Sequence, residues 1–507
     1  MSALVFLAGF AFYLAGASPA IGARDCADMA SAALTLGVAH PPGYPLYSVL
    51  GHAWLAAFPF GNPAYRLAVL SCLAAAGACA LIFSAVRRRS GAWAGLCAAS
   101  VVLFSAPLWK FALLQEKYAL HALIVAALIW LSEGDDASAD RRARLTCFLV
   151  GLGLVNHQSL LLFLPGLYLL WGARRRALVA AVPWLIAGLT PYLFLWIRLG
   201  SLGQALSVAL RAQYGSGTLS AQLARPFTPD GSVVLFAWSL KAWALAVGLP
   251  AAAAAVYGAA RAERGRAYGL MLGALASGPL FVLLSRFDSS NWVARSVLEP
   301  AFLVPALVAA VLAGEAVARA GRAAPAAALV IAASALVLRA PIPERRDDFL
   351  AHDYARNLRR AVPPGGSLLA AGDTALFGLR WLELTEPRPP AREVSGAGLV
   401  QPRTWFAQKA GKSEVYTTGL APDVQPPAAM APMGLVVRKD SAGVTAPFVL
   451  RRSKSWLRDD SYARDAKLAY AFAFWSTARL IEARGYVAPE MLDLTAVSLD
   501  PEDYRLE

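Results

Sequence analysis

With 507 residues, 58% of them hydrophobic and only 16% charged, and a mean hydropathy of +0.50, the chain has too little polar surface to cover a soluble globule of its size. A formal net charge of +14 does not mark a nucleic-acid binder, because many of the basic residues stand in short clusters between apolar runs. The five cysteines form no disulfide framework and no zinc spacing: Cys72, Cys79, Cys97 and Cys147 lie inside apolar runs, and Cys26 stands alone beside two acids.

The composition is that of a polytopic membrane protein. Apolar runs long enough to cross a bilayer, or nearly so, recur near 3–18, 64–86, 92–108, 117–132, 145–157, 159–172, 177–198, 233–258, 268–285, 297–314 and 324–340, which predicts about eleven transmembrane helices. The first run has the length of a signal-peptide core, and Ala15-Gly16-Ala17 resembles a cleavage site. The missing basic n-region argues for a retained helix instead.

After that run comes DCADMASAALTLGVAHPPGYP, residues 25–45. A carboxylate beside hydrocarbon is costly unless it is paired or used, so Asp25 and Asp28 call for a reason. They belong to a first outer loop, 19–63, whose alanine-rich part from Asp28 to Leu36 predicts a short interfacial helix capped by Asp25 or Asp28. Arginine clusters at 87–89, 141–144, 174–176, 261–266 and 319–322 fall on alternate connections. The positive-inside rule makes those connections cytoplasmic and places the acidic loop and the C-terminus outside. A second outer connection, 199–232, carries Arg211, Tyr214 and Arg225.

From Pro341 charges and prolines increase, so the chain is expected to divide into a membrane module, 1–340, and an extracytoplasmic soluble domain, 341–507. Within the latter, SLLAAGDTALFGLRWLEL predicts a strand, a Gly-Asp turn and a helix begun by Asp373 or Thr374. Residues 385–430 look loop-rich. DAKLAYAFAFWSTARLIEARG predicts an amphipathic helix ending at Gly485, followed by a second short helical pattern.

Several polar residues suit chemistry. Three residues apart on a helix, Asp25 and Asp28 share a face, as a catalytic or metal-binding pair would; a helix cap with an exposed acid is the alternative. His40 precedes Pro41-Pro42, which favours an extended backbone and directs the imidazole, either as an acid/base or phosphate ligand or as a hydrogen-bonding anchor. Arg66 at the outer end of a helix either snorkels to headgroups or holds a lipid phosphate. Glu116 and Lys117 begin a helix, where an acid suits the dipole in any case. Asn156 and His157 interrupt an apolar run of more than twenty residues, where polar groups are satisfied within a bundle or used for function. No Walker loop, dinucleotide turn, metalloprotease helix or Ser-His-Asp signature is visible.

The strings TLGVAHPPGYPLYSVLGHAW, GNPAYRLAVLS, QEKYAL and GLGLVNHQSLLLFLPG resemble a bacterial and animal membrane family first catalogued as a domain of unknown function, whose animal members are protein O-mannosyltransferases of GT-C fold. The resemblance is dense over residues 13–172 and returns faintly in GDTALFGLRWLEL. It implies a mainly α, GT-C-like bundle with a C-terminal soluble α/β domain, multi-pass in a bacterial inner membrane. It also implies an inverting glycosyltransferase that moves a sugar, mannose by analogy, from a polyprenyl-phosphate donor to an outer hydroxyl on a protein or glycan acceptor. Membrane lipids are the remaining partner, and nucleic acid is not expected. The family pattern Asp-Ser-Gly-Glu stands here as Asp25-Cys26-Ala27-Asp28, with the first acid kept and the second shortened by one methylene. On this reading Asp25 is the general base and Asp28 orients it, the acceptor or a divalent metal ion, whose involvement is left open. His40 and Arg66 neutralise the departing phosphate, and Tyr44, Glu116, Asn156 and His157 line or support the cavity. A flippase or permease for a lipid-linked sugar, or a non-catalytic envelope glycan assembly protein, is the alternative.

Overall fold

The computed structural model describes residues 1–134, 137–212, 226, 228–337, 345–386, 393–396, 402–409, 414–418, 430–433, 435–439 and 464–483. The chain divides into two compact units, Met1–Ala17 with Ala32–Glu344, and Ser18–Ser31 with Arg345–Glu507. The segment carrying both acids thus clusters with the C-terminal part. Tyr214, Arg225, most of 385–430, Gly485 and the short helical pattern after it lie outside the described residues.

The first half of the helical unit comprises α1 (Ser2–Ala15), the end of α2 (Asp25–Thr35), α3 (Pro45–Ala57), α4 (Pro63–Ser90), α5 (Ala92–Leu103), α6 (Ala106–Ala112), α7 (Lys117–Ser132), α8 (Ala139–Asn156) and α9 (Leu160–Leu170). The second half continues with α10 (Arg175–Ala180), α11 (Val182–Leu189), α12 (Leu193–Leu199), α13 (Leu202–Ala209), α14 (Pro229–Val247), α15 (Leu249–Arg261), α16 (Arg264–Leu275), α17 (Phe281–Ser285), α18 (Trp292–Leu298), α19 (Leu303–Ala318) and α20 (Ala324–Val337). The long α4 is defined by local chemistry. Asn62 caps it by accepting from the Ala64 amide at 2.8 Å, Pro63 occupies its first turn, and Arg87, Arg88 and Arg89 face the negative end of its dipole. Its small buried residues, Ala74, Ala75, Ala76 and Ala78 among them, let α1, α5 and α7 approach closely.

Among the described residues five helical stretches are long and apolar enough to cross a membrane: Pro63–Ser90, Val182–Leu199, Pro229–Val247, Arg264–Ser285 and Val293–Ala318. The run expected at 92–108 is a pair, α5 and α6, bent by 64°; counted as one span, it makes six. The run expected at 233–258 is two helices, because Gly248 takes φ +89 between them and Pro250 follows at the start of α15. Near Pro279, which has no amide to donate, the ladder of 268–285 shifts to a π turn over Ala276–Leu280. Ser2–Ala15, Lys117–Ser132, Leu160–Leu170 and Gly321–Val337 are apolar but shorter. Length alone therefore does not yield the expected eleven.

The basic connections meet one another. Arg89 pairs with Glu263 at 3.0 Å, Arg266 bonds Glu133 at 2.6 Å and also Glu315, Arg319 donates to the Arg261 carbonyl at 2.7 Å, and Arg174 donates to the Ser132 carbonyl at 2.9 Å. Clusters separated by pairs of helices thus lie at one end of this unit, as the alternation of arginines requires.

Helices α8 and α11 touch through glycine. A Cβ on Gly188 would lie 2.1 Å from the Phe148 carbonyl oxygen, and one on Gly151 would lie 2.3 Å from the Leu185 oxygen. Backbone cannot yield as a flexible side chain does, so Gly188→Val is expected to destabilise the helical unit by more than the about 1–3 kcal/mol of ordinary overpacking. Thermal unfolding of the purified protein in detergent checks this, and an unchanged midpoint would contradict the close approach.

In the second unit, β1 (Ser367–Ala370) is flanked by two parallel partners, β2 (Glu393–Gly396) and β3 (Val415–Thr417), and β5 (Val436–Lys439) runs antiparallel to both β3 and β4 (Met430–Met433). The order β2-β1-β3-β5-β4, with α21 (Leu350–Ala361), α22 (Asp373–Thr385), α23 (Pro402–Gln408) and α24 (Arg464–Ala483), makes an α/β unit. The strand, turn and helix expected over 367–384 are β1 and α22. Asn357 of α21 donates to the Tyr470 hydroxyl of α24 at 2.7 Å, and burial pushes both the Tyr354 and Tyr470 hydroxyls up in pKa.

Glu386 ends α22 against Arg356 and Arg359 of α21, at 2.5 and 2.7 Å. Burial by itself would raise its carboxyl pKa, but the two guanidiniums outweigh it and hold the group below the ordinary value of 4.5. A lowered carboxylate pKa contributes stability that is present above the unfolded value and is lost as pH falls through the folded one. Glu386→Gln is therefore expected to destabilise this unit by about 1 kcal/mol at neutral pH. Melting curves of variant and wild type should begin to converge as the pH falls below 4.5 and meet once it has passed through the lowered folded value.

Candidate active site

Three strings from the helical unit converge. The first is His40-Pro41-Pro42-Gly43-Tyr44-Pro45. The prolines favoured an extended chain after His40, but the chain turns: the Gly43 amide donates to the His40 carbonyl at 2.8 Å, with Pro41-Pro42 cis and Gly43 at φ +91. Tyr44, itself left-handed at φ +43, then caps α3, with Pro45 in its first turn. The turn sets the His40 and Tyr44 rings 5.1 Å apart.

The second string, Gln115-Glu116-Lys117-Tyr118, joins α6 to α7. Gln115 donates to the Ala64 carbonyl at 3.0 Å, tying the junction to α4. Lys117 and Glu116 are fully buried and paired at 3.1 Å, and the Lys117 ammonium lies 4.8 Å from the Tyr44 ring centre and 4.6 Å from that of Tyr118. A buried ammonium is expensive unless paired, and here one carboxylate and two aromatic faces compensate it.

The third string ends α8. Asn156 donates to the Lys117 carbonyl at 3.1 Å, so the polar residue in that apolar run supports the lysine's own backbone. His157 leaves the helix in an extended conformation, with Nδ1 2.6 Å from the Ser159 hydroxyl. Its ring lies 6.2 Å from Tyr44, 5.4 Å from Tyr118 and 5.2 Å from His121. His121 is buried one turn beyond Lys117, and its Nδ1 has no hydrogen-bond partner among the described residues. The cluster lies at the first turn of α7, whereas Ser132 and Glu133 at its far end join the basic network. The 16 residues of α7 separate the two by about 24 Å.

Of the expected residues, Tyr44, His40, Glu116, Asn156 and His157 are thus brought together. Arg66 is used differently: its guanidinium donates to the Leu55 carbonyl at 3.0 Å and to the Phe58 carbonyl, closing the end of α3, while its own carbonyl accepts from the Trp54 indole at 2.7 Å. Lys117, Tyr118 and His121 had no assigned part in the site. The four-residue spacing of Lys117 and His121 in an otherwise apolar helix was the available signal.

In the α/β unit, α2 begins at Asp25, three residues earlier than expected. Neither acid caps it from outside, and both lie in its first turn, where a carboxylate suits the helix dipole. Asp28 is buried and Asp25 half-buried. Arg24, at φ +55, turns the chain into the helix, and its amide donates to the Thr374 hydroxyl at 2.9 Å; Arg380 lies 3.9 Å from Asp28. Among the described residues no group of three or more His, Cys, Asp or Glu side chains could hold a metal ion. The carboxylates can accept a proton, and the Lys-His-Tyr cluster can donate to an anionic oxygen.

The helix arrangement and the polar cluster at one end of it define a polytopic membrane protein of the GT-C fold. The chain is similar to ArnT from Cupriavidus metallidurans in the apo state, with a TM-score of 0.56 at 15% identity over 88% of this chain and 98% of that one. For ArnT bound to undecaprenyl phosphate the TM-score is 0.55. Residues 25–179, Asp25 and His157 included, match the family model described as the protein O-mannosyl-transferase TMEM260 N-terminal domain, and over that stretch the chain is similar to that family. Protein O-mannosyl-transferase TMEM260 of Mus musculus is 38% identical over 146 residues, 28% of this chain and 21% of that protein. Its namesake in Dictyostelium discoideum is 27% identical over 221 residues, 38% of this chain and 27% of that protein. The chain thus aligns with only about a quarter of the length of these curated relatives.

Proposed function

We propose that the chain is an inverting glycosyltransferase that moves a sugar, mannose by the relatives' names, from a polyprenyl-phosphate donor to an acceptor hydroxyl, a protein serine or threonine above all. The observation that carries this reading is the buried Lys117 beside Tyr44 and Tyr118, with His157 and His121 on the same rings, a cationic and donor-rich cluster suited to a leaving phosphate. It lies in the stretch shared with the O-mannosyl-transferases. The fold is that of ArnT, which has been crystallised with undecaprenyl phosphate.

In the step proposed, Asp25 takes the proton of the acceptor hydroxyl, that oxygen bonds to the anomeric carbon, and the bond from that carbon to the phosphate oxygen breaks. Polyprenyl phosphate leaves with the negative charge. Lys117, with His40, Tyr44 and His157, meets that charge as it develops. Glu116 and Asn156 hold Lys117, and Asp28 orients Asp25. The phosphate role anticipated for Arg66 passes to Lys117, since the guanidinium is engaged by α3. We assign the protein to a bacterial plasma membrane, with the arginine-rich helix ends cytoplasmic and both the acidic segment and the domain from residue 341 outside.

The test is donor turnover by purified protein, supplied with a panel of polyprenyl-phosphate sugars and membrane extract as acceptor. Release of polyprenyl phosphate with sugar appearing on protein is the expected result, and the preferred donor names the sugar. Donor that crosses proteoliposome membranes without being consumed would overturn the reading in favour of a flippase.

A further inference from the structure

The α/β unit contains the acidic segment, and the way it holds that segment suggests a task. Strands β2 and β3 lie on opposite sides of β1, and the chain leaves β1 towards β2 but β3 towards β4, so the carboxyl ends of β1 and β3 form a switch point of the kind where open α/β sheets take their ligands. Here the two strand ends are tied together by the Ala371 amide, which donates to the Thr418 hydroxyl at 2.9 Å. Directly after that tie α22 begins, and its buried Thr374 accepts from the Arg24 amide. Four residues further along, Gly378 packs chiefly on α21, where an added Cβ would come within 2.9 Å of the Ala355 Cβ, and Ile21 Cδ1 lies 4.0 Å from the same position. Beyond that, Arg380 reaches Asp28 at 3.9 Å. The hydrogen bond and the ion pair follow one another along α22 and engage Arg24 and Asp28, on either side of Asp25.

Resting on the glycosyltransfer reading above, we propose that α22 is a positioning element for the acidic helix, with Thr374 and Arg380 as positioning residues that fix where the Asp25 and Asp28 carboxylates stand. Thr374 fixes the backbone where the chain enters α2, immediately before Asp25. Arg380, largely exposed, places a positive charge beside the buried Asp28 and so holds that carboxyl group towards α22 rather than turned away from it. The soluble unit then serves the chemical step itself, whatever further part it has in meeting an acceptor. This makes a distinct demand on kinetics, because displacement of a base by about 1 Å can cost as much as about 100-fold in rate while donor binding is untouched.

The test uses the full chain in four variants: Thr374→Val, Thr374→Ser, Arg380→Gln and Arg380→Lys. The expected result is a fall in kcat of about 10-fold or more for Thr374→Val and Arg380→Gln with donor KM unchanged, and recovery in Thr374→Ser and Arg380→Lys. In parallel, hydrogen–deuterium exchange should quicken over residues 22–31 in Thr374→Val and stay slow in Thr374→Ser, with exchange in α21 and β1 unaltered. Wild-type kcat together with wild-type exchange in Thr374→Val and Arg380→Gln would overturn the proposal. Faster exchange throughout the α/β unit in Thr374→Val would also overturn it, since that is loss of structure rather than of position. If the wild type consumes no donor, the glycosyltransfer reading fails on its own, and the exchange pattern still decides whether α22 anchors the segment.

Discussion

Asp25→Asn is expected to lower sugar transfer by about 100-fold or more, the scale of a lost general base, while the protein inserts and melts as the wild type does. The substitution keeps the shape of the side chain in the first turn of α2 and removes its charge and its capacity to take a proton. The buried Asp28 is the useful comparison. Asp28→Asn should slow transfer less, because an amide oxygen can still accept a hydrogen bond and orient a neighbour. Turnover of the preferred donor with a defined acceptor peptide measures both, and full activity in Asp25→Asn would remove the residue from the base role. Donor KM should be unchanged in either variant, since neither carboxylate is assigned to the phosphate.

The second large effect is expected at Lys117, and it separates structure from chemistry. Lys117→Met alone leaves the Glu116 carboxylate buried without its ammonium, a loss of about 3–5 kcal/mol that should show as a much lower melting temperature. Adding Glu116→Gln removes the stranded charge, so the double variant should recover most of that stability. If Lys117 serves only to neutralise Glu116, recovery of stability restores turnover as well. If it receives the donor phosphate, the double variant folds but binds donor poorly, with KM raised at least about tenfold, the value of one charge-assisted contact. The latter outcome is expected, because Lys117 stands among aromatic rings and the His157 imidazole, well beyond the needs of one ion pair. A double variant with wild-type donor affinity would return the phosphate role to another cation.

The two sets of residues were legible in the sequence to different degrees. Asn156 and His157 were visible as polar interruptions of an apolar run, and the structure gives both a task, one on the Lys117 carbonyl and the other among the rings. Arg66 was legible only as a cation at a helix end. Whether a guanidinium at that place faces lipid, phosphate or backbone depends on where the preceding helix stops, and α3 stops with its carbonyls within reach. His121 went unread because a single histidine in an apolar helix looks like a filled core position until its neighbours are known. The run at 233–258 was long enough for one helix, yet the positive φ of Gly248 divides it, and glycine in a sequence does not declare which φ it takes.

By itself, the sequence determined what contiguous residues can decide. Composition dictated a membrane protein, the arginine spacing dictated which helix ends share a side, and caps such as Asn62-Pro63 and the turn before Asp373 dictated where elements begin, since each depends on hydrogen bonds spanning only a few residues. Only the tertiary structure decided which distant residues meet. Arg24 and Thr374 are 350 positions apart, and Tyr44, Lys117 and His157 come from three separate strings of the chain. Hydrophobic periodicity says which face of a helix is buried but not against what, and the pairing of faces is chosen by close packing over the whole unit.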